Sequence, residues 1–139
     1  PRGDDWLEDE IRHLKNNDVN VLVSLLERSE IYDLKLSDEE RLCEIENITY
    51  INLPIPDREI PKQNTDVDRL VNLLTKKVDE GQSIVIHCRM GIGRSSIIAA
   101  SVLLKYHFKT NDIIEKISSI RGLSVPDTDQ QLAWLKSRE

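Results

Sequence analysis

Phenylalanine and methionine occur once each in this chain, glycine and proline five times each, and aromatic residues make up only 4% of it. So little glycine and proline excludes collagen-like and low-complexity architectures. The two cysteines, Cys43 and Cys88, are too few for a disulfide scaffold, so a reducing compartment and a cytoplasmic location are expected. No run is long enough to cross a bilayer: Ile97–Val102, the longest in the second half, is broken by Ser101. The start shows no secretory pattern. Basic residues are in deficit, 19 Lys+Arg against 25 Asp+Glu for a net charge of −6, so no nucleic-acid partner is expected. His13 and His107 have no carboxylate or thiolate at ligand spacing, so neither a metal site nor a cofactor is expected. What remains, 139 residues with 39% hydrophobic and 32% charged, reads as one soluble globular domain over 1–139.

Apolar spacing gives the order of elements. Leu7, Ile11 and Leu14 share one face of a helix over Asp4–Asn17, with Asp5 and Glu8 resembling a capping box. A β-branched strand follows from Val19 to Leu26, then one or two short surface helices within the charged stretch Ser29–Ile45. Thr49–Leu53 reads as a second strand, halted by Pro54 and Pro56, and Leu53–Asn64 as a loop. Thr65 is placed to cap a helix with Val67, Leu70, Val71, Leu74 and Val78 in one stripe, closed by Gly81. Ser83–His87 is a short apolar run consistent with a strand buried on both faces. Helices are expected over Ser95–Tyr106, Thr110–Arg121 (Ile113, Ile114, Ile117 and Ile120 inward) and Asp127–Ser137 (Leu132 and Leu135 packing). Trp6 and Trp134 are expected as packing anchors. Strands alternating with helices define an α/β domain with a mostly parallel sheet, whose ligands bind at the carboxyl ends of the strands.

That rule points at His87-Cys-Arg-Met-Gly-Ile-Gly-Arg-Ser95, between the apolar strand and an apolar helix. A tight turn entering a helix aims backbone N–H groups at one spot, and Gly91 and Gly93 permit close approach. Such a nest binds a tetrahedral anion, to which Arg94 adds a planar fork matching two phosphate oxygens. Amide dipoles and Arg94 favour thiolate at Cys88. The loop is neither a Walker loop, since no Lys follows Gly93, nor a dinucleotide fingerprint, since Ser96 stands where a third glycine is needed. A thiolate facing a bound phosphate implies attack at phosphorus and a cysteinyl-phosphate intermediate. The plain alternative, an inert Cys88 ending a core strand, leaves Arg94 and both glycines unexplained.

Cys-x5-Arg-Ser preceded by His resembles the signature of the cysteine-dependent protein tyrosine phosphatases, in particular their compact dual-specificity branch with its kinase-associated and small prokaryotic members. The resemblance implies the fold of that family, a central mostly parallel sheet with helices on both faces. It implies phosphate binding by Arg89, Met90, Gly91, Ile92, Gly93 and Arg94, and a supporting role for His87. The family's general acid comes from an upstream loop, which Leu53-Pro-Ile-Pro-Asp57 matches, making Asp57 the acid with Glu59 and Asp66 as fallbacks. Ser95 matches the hydroxyl that eases departure of the thiolate. Asp127-Thr-Asp-Gln-Gln131 resembles the segment that positions the hydrolytic water, with Gln131 at the orienting position and Gln130 next; the plain reading of Gln131 is helix surface.

The implied activity is a phosphoprotein phosphatase, tyrosine-specific or of dual specificity, acting on a phosphorylated protein or peptide as a monomer. Its alternatives are a phosphoinositide, inositol phosphate or RNA 5′-phosphatase of the same superfamily, or a phospho-residue binding module without turnover. The loop carries Arg89 but apolar Met90 and Ile92, which weakens the phosphoinositide reading. Cys43 has two readings, a half-buried helix residue or a thiol that resolves oxidised Cys88.

Overall fold

The computed structural model describes residues 3–89 and 93–139, with residues 3–5 as backbone. Strand β1 (Val19–Ser24) lies between β2 (Thr49–Asn52) and β3 (Ser83–His87), and both pairings are parallel. Ser24 pairs with Asn52 on one side and with His87 on the other, so the three strands end level.

Strand residues alternate between faces, and each face meets its own helices. Val21, Val23, Ile51, Ile84 and Ile86 join Val71 and Leu74 of α4 (Asn64–Asp79), Ile97 and Ile98 of α5 (Arg94–Leu104), Ile113 of α6 (Thr110–Arg121) and Leu135 of α7 (Asp129–Ser137). Leu22, Tyr50 and Val85 join Leu7 and Ile11 of α1 (Gly3–Asn16) and Leu42 and Cys43 of α3 (Glu39–Ile45). Helices therefore cover both faces of the sheet, as the α/β reading expects. The apolar helix α5 is central, touching α4, α6, α7 and β3. The remaining helix, α2 (Arg28–Asp33), follows β1 directly and so starts at the carboxyl edge of the sheet.

Several expectations are corrected. The buried strand is β1, in which only Asn20 is exposed, whereas β3 is an edge strand of half-buried residues with Ser83 exposed. An apolar run looks the same whether covered on both faces or half covered. Strand β1 stops at Ser24, because Leu25 leaves the ladder while its N–H still donates to the His87 carbonyl at 2.9 Å. Helix α1 starts at Gly3, which places Asp5 inside the first turn, and Gln63 rather than Thr65 precedes α4. Helices α2 and α3 are not wholly surface elements, since each buries a glutamate, Glu30 and Glu39. Trp6 (43% exposed), Val78 and Ile120 point outward, while Trp134 packs as expected.

Candidate active site

The site forms where β3 ends and α5 begins. His87 is the last strand residue, Cys88 the first beyond it and half-buried, and Arg89 is exposed. Met90, Gly91 and Ile92 lie outside the described residues. Gly93 precedes α5 with φ −92°, so its requirement is space rather than backbone conformation. A Cβ there would stand 2.6 Å from Gln131 Oε1 and 2.9 Å from Asp127 Cβ. Arg94 and Ser95 open α5, both buried.

Arg94 is only 2% exposed, and its guanidinium organises the site. Nη1 donates to Glu30 Oε1 at 2.7 Å and to the Ile55 carbonyl at 2.8 Å. Nη2 donates to Glu30 Oε2 at 2.9 Å and to Asp57 Oδ1 at 3.1 Å. The Glu30 contact is a bidentate fork, the geometry that suits guanidinium and carboxylate best. Burial works against the arginine's charge, but the Glu30 hydrogen bond and charge, joined by Cys88 and Asp57, hold its pKa above the ordinary value. In return the Arg94 hydrogen bond holds the Glu30 carboxyl below the usual range against the upward pull of burial.

The loop after β2 brings Asp57 to this arginine. Leu53 N–H donates to the Ser24 carbonyl and Ile55 N–H to that of Leu25, so the loop continues alongside β1. Glu59 N–H closes a turn onto the Pro56 carbonyl at 3.1 Å, presenting the Asp57 side chain, 58% exposed, towards Arg94. Arg58 in the same turn adopts φ +61° and reaches Asp127 at 2.7 Å. The fallback carboxylates Glu59 and Asp66 are exposed, and Asp57 is the one that contacts Arg94.

Gln131 departs from the helix-surface reading. It is fully buried, its Oε1 accepts from the N–H groups of Asp127 and Thr128, and its Nε2 donates to the Glu59 carbonyl at 3.0 Å. Its amide thus clamps the acid loop to the start of α7, with Gly93 packed against it. Gln130 is exposed.

His87 Nε2 lies 3.1 Å from Oε1 of Glu39, whose side chain is 6% exposed. Cys43 belongs to the core on the α1/α3 face, and Cys88 packs against the core on the other. The sheet therefore separates the two thiols, and Cys43 is not placed to resolve Cys88. Burial, helped by Glu39 and Glu40, pushes the Cys43 thiol up to about 12.

Sequence reasoning missed Glu30 and Glu39. Glu30 carries one local signal: its Oε1 also accepts from Glu27 N–H at 3.1 Å, a helix-start pattern readable from the three-residue spacing. Glu39 carries none, since its partner is 48 residues away. Among the described residues there is no cluster of three or more metal-ligating side chains.

A family model described as a polymorphic toxin system DSP-PTPase phosphatase matches residues 1–107. PRL-1 phosphatase of Drosophila melanogaster is 30% identical over 128 residues, which is 91% of this chain and 66% of that protein. The 197R protein of Invertebrate iridescent virus 6, which carries a tyrosine phosphatase name, is 36% identical over 115 residues, 74% of this chain and 40% of its own length. The chain thus spans less than two thirds of either relative. A kinase-associated phosphatase with its catalytic-site cysteine replaced by serine superposes with TM-score 0.86 at 22% identity, over 92% of this chain and 72% of that one. Tk-PTP in its active form superposes with TM-score 0.79 at 24% identity, over 95% and 87%. The architecture is that of the cysteine-dependent protein tyrosine phosphatases. Within it, the chain belongs to the DSP-PTPase phosphatase family.

Proposed function

We propose that the protein hydrolyses phosphate monoesters on phosphorylated proteins or peptides through a cysteinyl-phosphate intermediate. The observation that carries this reading is Arg94: a buried guanidinium in the first turn after Cys88, braced by Glu30 and facing Asp57. A binding module needs neither a nucleophile nor an acid, and both stand beside this arginine.

An arriving phosphate competes with Asp57 for Nη2 of Arg94, while the loop amides from Arg89 to Arg94 take the other equatorial oxygens. The Cys88 thiolate attacks phosphorus; the S–P bond forms as the bond to the leaving oxygen breaks. That oxygen takes the proton of Asp57, which displacement from Arg94 frees to meet it. Water then attacks the cysteinyl phosphate, giving its proton back to the Asp57 carboxylate. The S–P bond breaks, phosphate departs, and Ser95 hydrogen-bonds the returning thiolate. His87 supports the base of the loop, and Gln131 keeps the acid loop in register rather than handling water. We infer a monomer of the reducing cytoplasm, a reading that two free cysteines favour. No described helix is long and apolar enough to cross a membrane.

The test is hydrolysis of p-nitrophenyl phosphate without metal, beside Cys88→Ser and with vanadate. Metal-independent turnover is expected, blocked by vanadate and abolished in Cys88→Ser, which still binds phosphate. Folded, reduced wild type that binds phosphotyrosine without turning it over would establish the binding module instead. Phosphopeptides compared with phosphoinositides, inositol phosphates and RNA 5′-triphosphate then decide the substrate class.

A further inference from the structure

Glu39 stands apart from the arginine cluster and has no part in the chemistry above. It is the first residue of α3 and 5% exposed, and its charge acts on the buried Cys43. A carboxylate in such surroundings is costly unless a donor meets it. The hydrogen-bond donor facing it is His87 Nε2, at 3.1 Å. Its other polar neighbours, Cys43 and Tyr50, add no second negative charge beside it. Burial, together with the charge of Glu39 and Glu40, raises both the Cys43 thiol and the Tyr50 phenol to about 12, although a Ser24 hydrogen bond opposes the rise at Tyr50. Both keep their protons near neutrality.

We propose that Glu39 is a positioning residue for catalysis: it accepts the Nε2 proton of His87 and thereby fixes the tautomer and orientation of the ring that adjoins the nucleophile. The backbone supports this reading. The His87 carbonyl is already held by Leu25 N–H at 2.9 Å, and its Cα is in register with Ser24. Backbone and side chain together immobilise the residue from which Cys88 springs. Orienting partners one step removed from a reactive group are typically worth roughly ten- to a hundredfold, as metal-site second partners show.

The inference rests on Cys88 as nucleophile, and the experiment separates the two. In uniformly ¹⁵N-labelled wild type, long-range proton–nitrogen correlation of the three imidazoles, with His87 assigned by His87→Asn, is expected to show the proton on Nε2. Glu39→Ala is expected to lower kcat for p-nitrophenyl phosphate about tenfold with KM little changed, because Arg94 still grips the phosphate. The rate of Cys88 alkylation by iodoacetamide, read from its peptide by mass spectrometry, should fall with it. Glu39→Gln, which can still accept the Nε2 proton, should restore both to within about threefold. A neutral His87 with its proton on Nδ1, wild-type rates in Glu39→Ala, or a Glu39→Gln as slow as Glu39→Ala would each overturn the proposal. If Glu39→Ala does not fold, the wild-type tautomer and Glu39→Gln still decide. Should wild type hydrolyse nothing, the proposed activity fails, while tautomer and alkylation, which need no turnover, continue to report on Glu39.

Discussion

Arg94 does two jobs with one side chain. Its guanidinium is tied to Glu30, so in the proposed reaction the fork is already aimed when phosphate arrives. Glu30→Ala removes the buried partner of Arg94 and is expected to cost roughly 3 kcal/mol of folding stability, measured by urea denaturation, the low end for a broken buried pair because Asp57 and the Ile55 carbonyl remain. It should raise KM for phosphate esters as well, since the loosened fork must be reordered in each complex. Glu30 also sets an acid limb. Its folded pKa lies below the unfolded 4.5, so the pair stabilises fully above that pH and its contribution is lost as pH falls through the depressed folded value. In Glu30→Gln the urea midpoint should decline less steeply with acid than in wild type; parallel declines would show that other groups govern the limb. At the same scale, Asp57→Ala should slow the first step and flatten the acid side of the pH–rate profile. A kinetically silent Asp57→Ala would remove the acid assignment.

At the level of elements, the acid loop, the phosphate loop and the start of α7 meet on one buried amide. Gln131→Ala releases the Glu59 carbonyl and the Asp127 and Thr128 N–H groups together, and kcat is expected to fall about tenfold through misplacement of Asp57. Gly93→Ala reaches the same junction from the other side, because its Cβ would collide with that amide. The double variant should therefore be no worse than the poorer single one; additive losses would mean that the two act separately. Arg58→Ala breaks an exposed ion pair and should change stability by less than about 1 kcal/mol. These couplings explain what could be read in advance. The Cys88–Ser95 turn was legible because its chemistry is local, a strand, a glycine-bearing loop and a helix in one short run. The place of Asp57 beside Arg94 was legible only through the family resemblance that its two-proline loop carries. Glu30 and Glu39 were not, since charged residues on short helices look solvated until the fold turns them inward against Arg94, 64 residues from one, and His87, 48 from the other. The edge position of β3 was not legible for a related reason: strand order is a long-range property, and an apolar pentapeptide carries no trace of which neighbours it will have.

For the whole molecule, the sheet is a wall as well as a platform. It keeps Cys43 among the α1/α3 core residues while Cys88 packs on the far side. The chain has no other sulfhydryl. A sulfenic acid formed at Cys88 under peroxide thus has Cys43 out of reach across the sheet. Brief exposure should give inactivation that dithiothreitol reverses, prolonged exposure a permanent sulfinic acid, and peptide mapping no Cys43–Cys88 disulfide at either time. A cross-linked peptide would mean that the two layers exchange partners in the folded protein. If Cys88 is the nucleophile proposed above, its endurance under oxidant is set not by Cys43 but by how quickly its surroundings lend it a reductant.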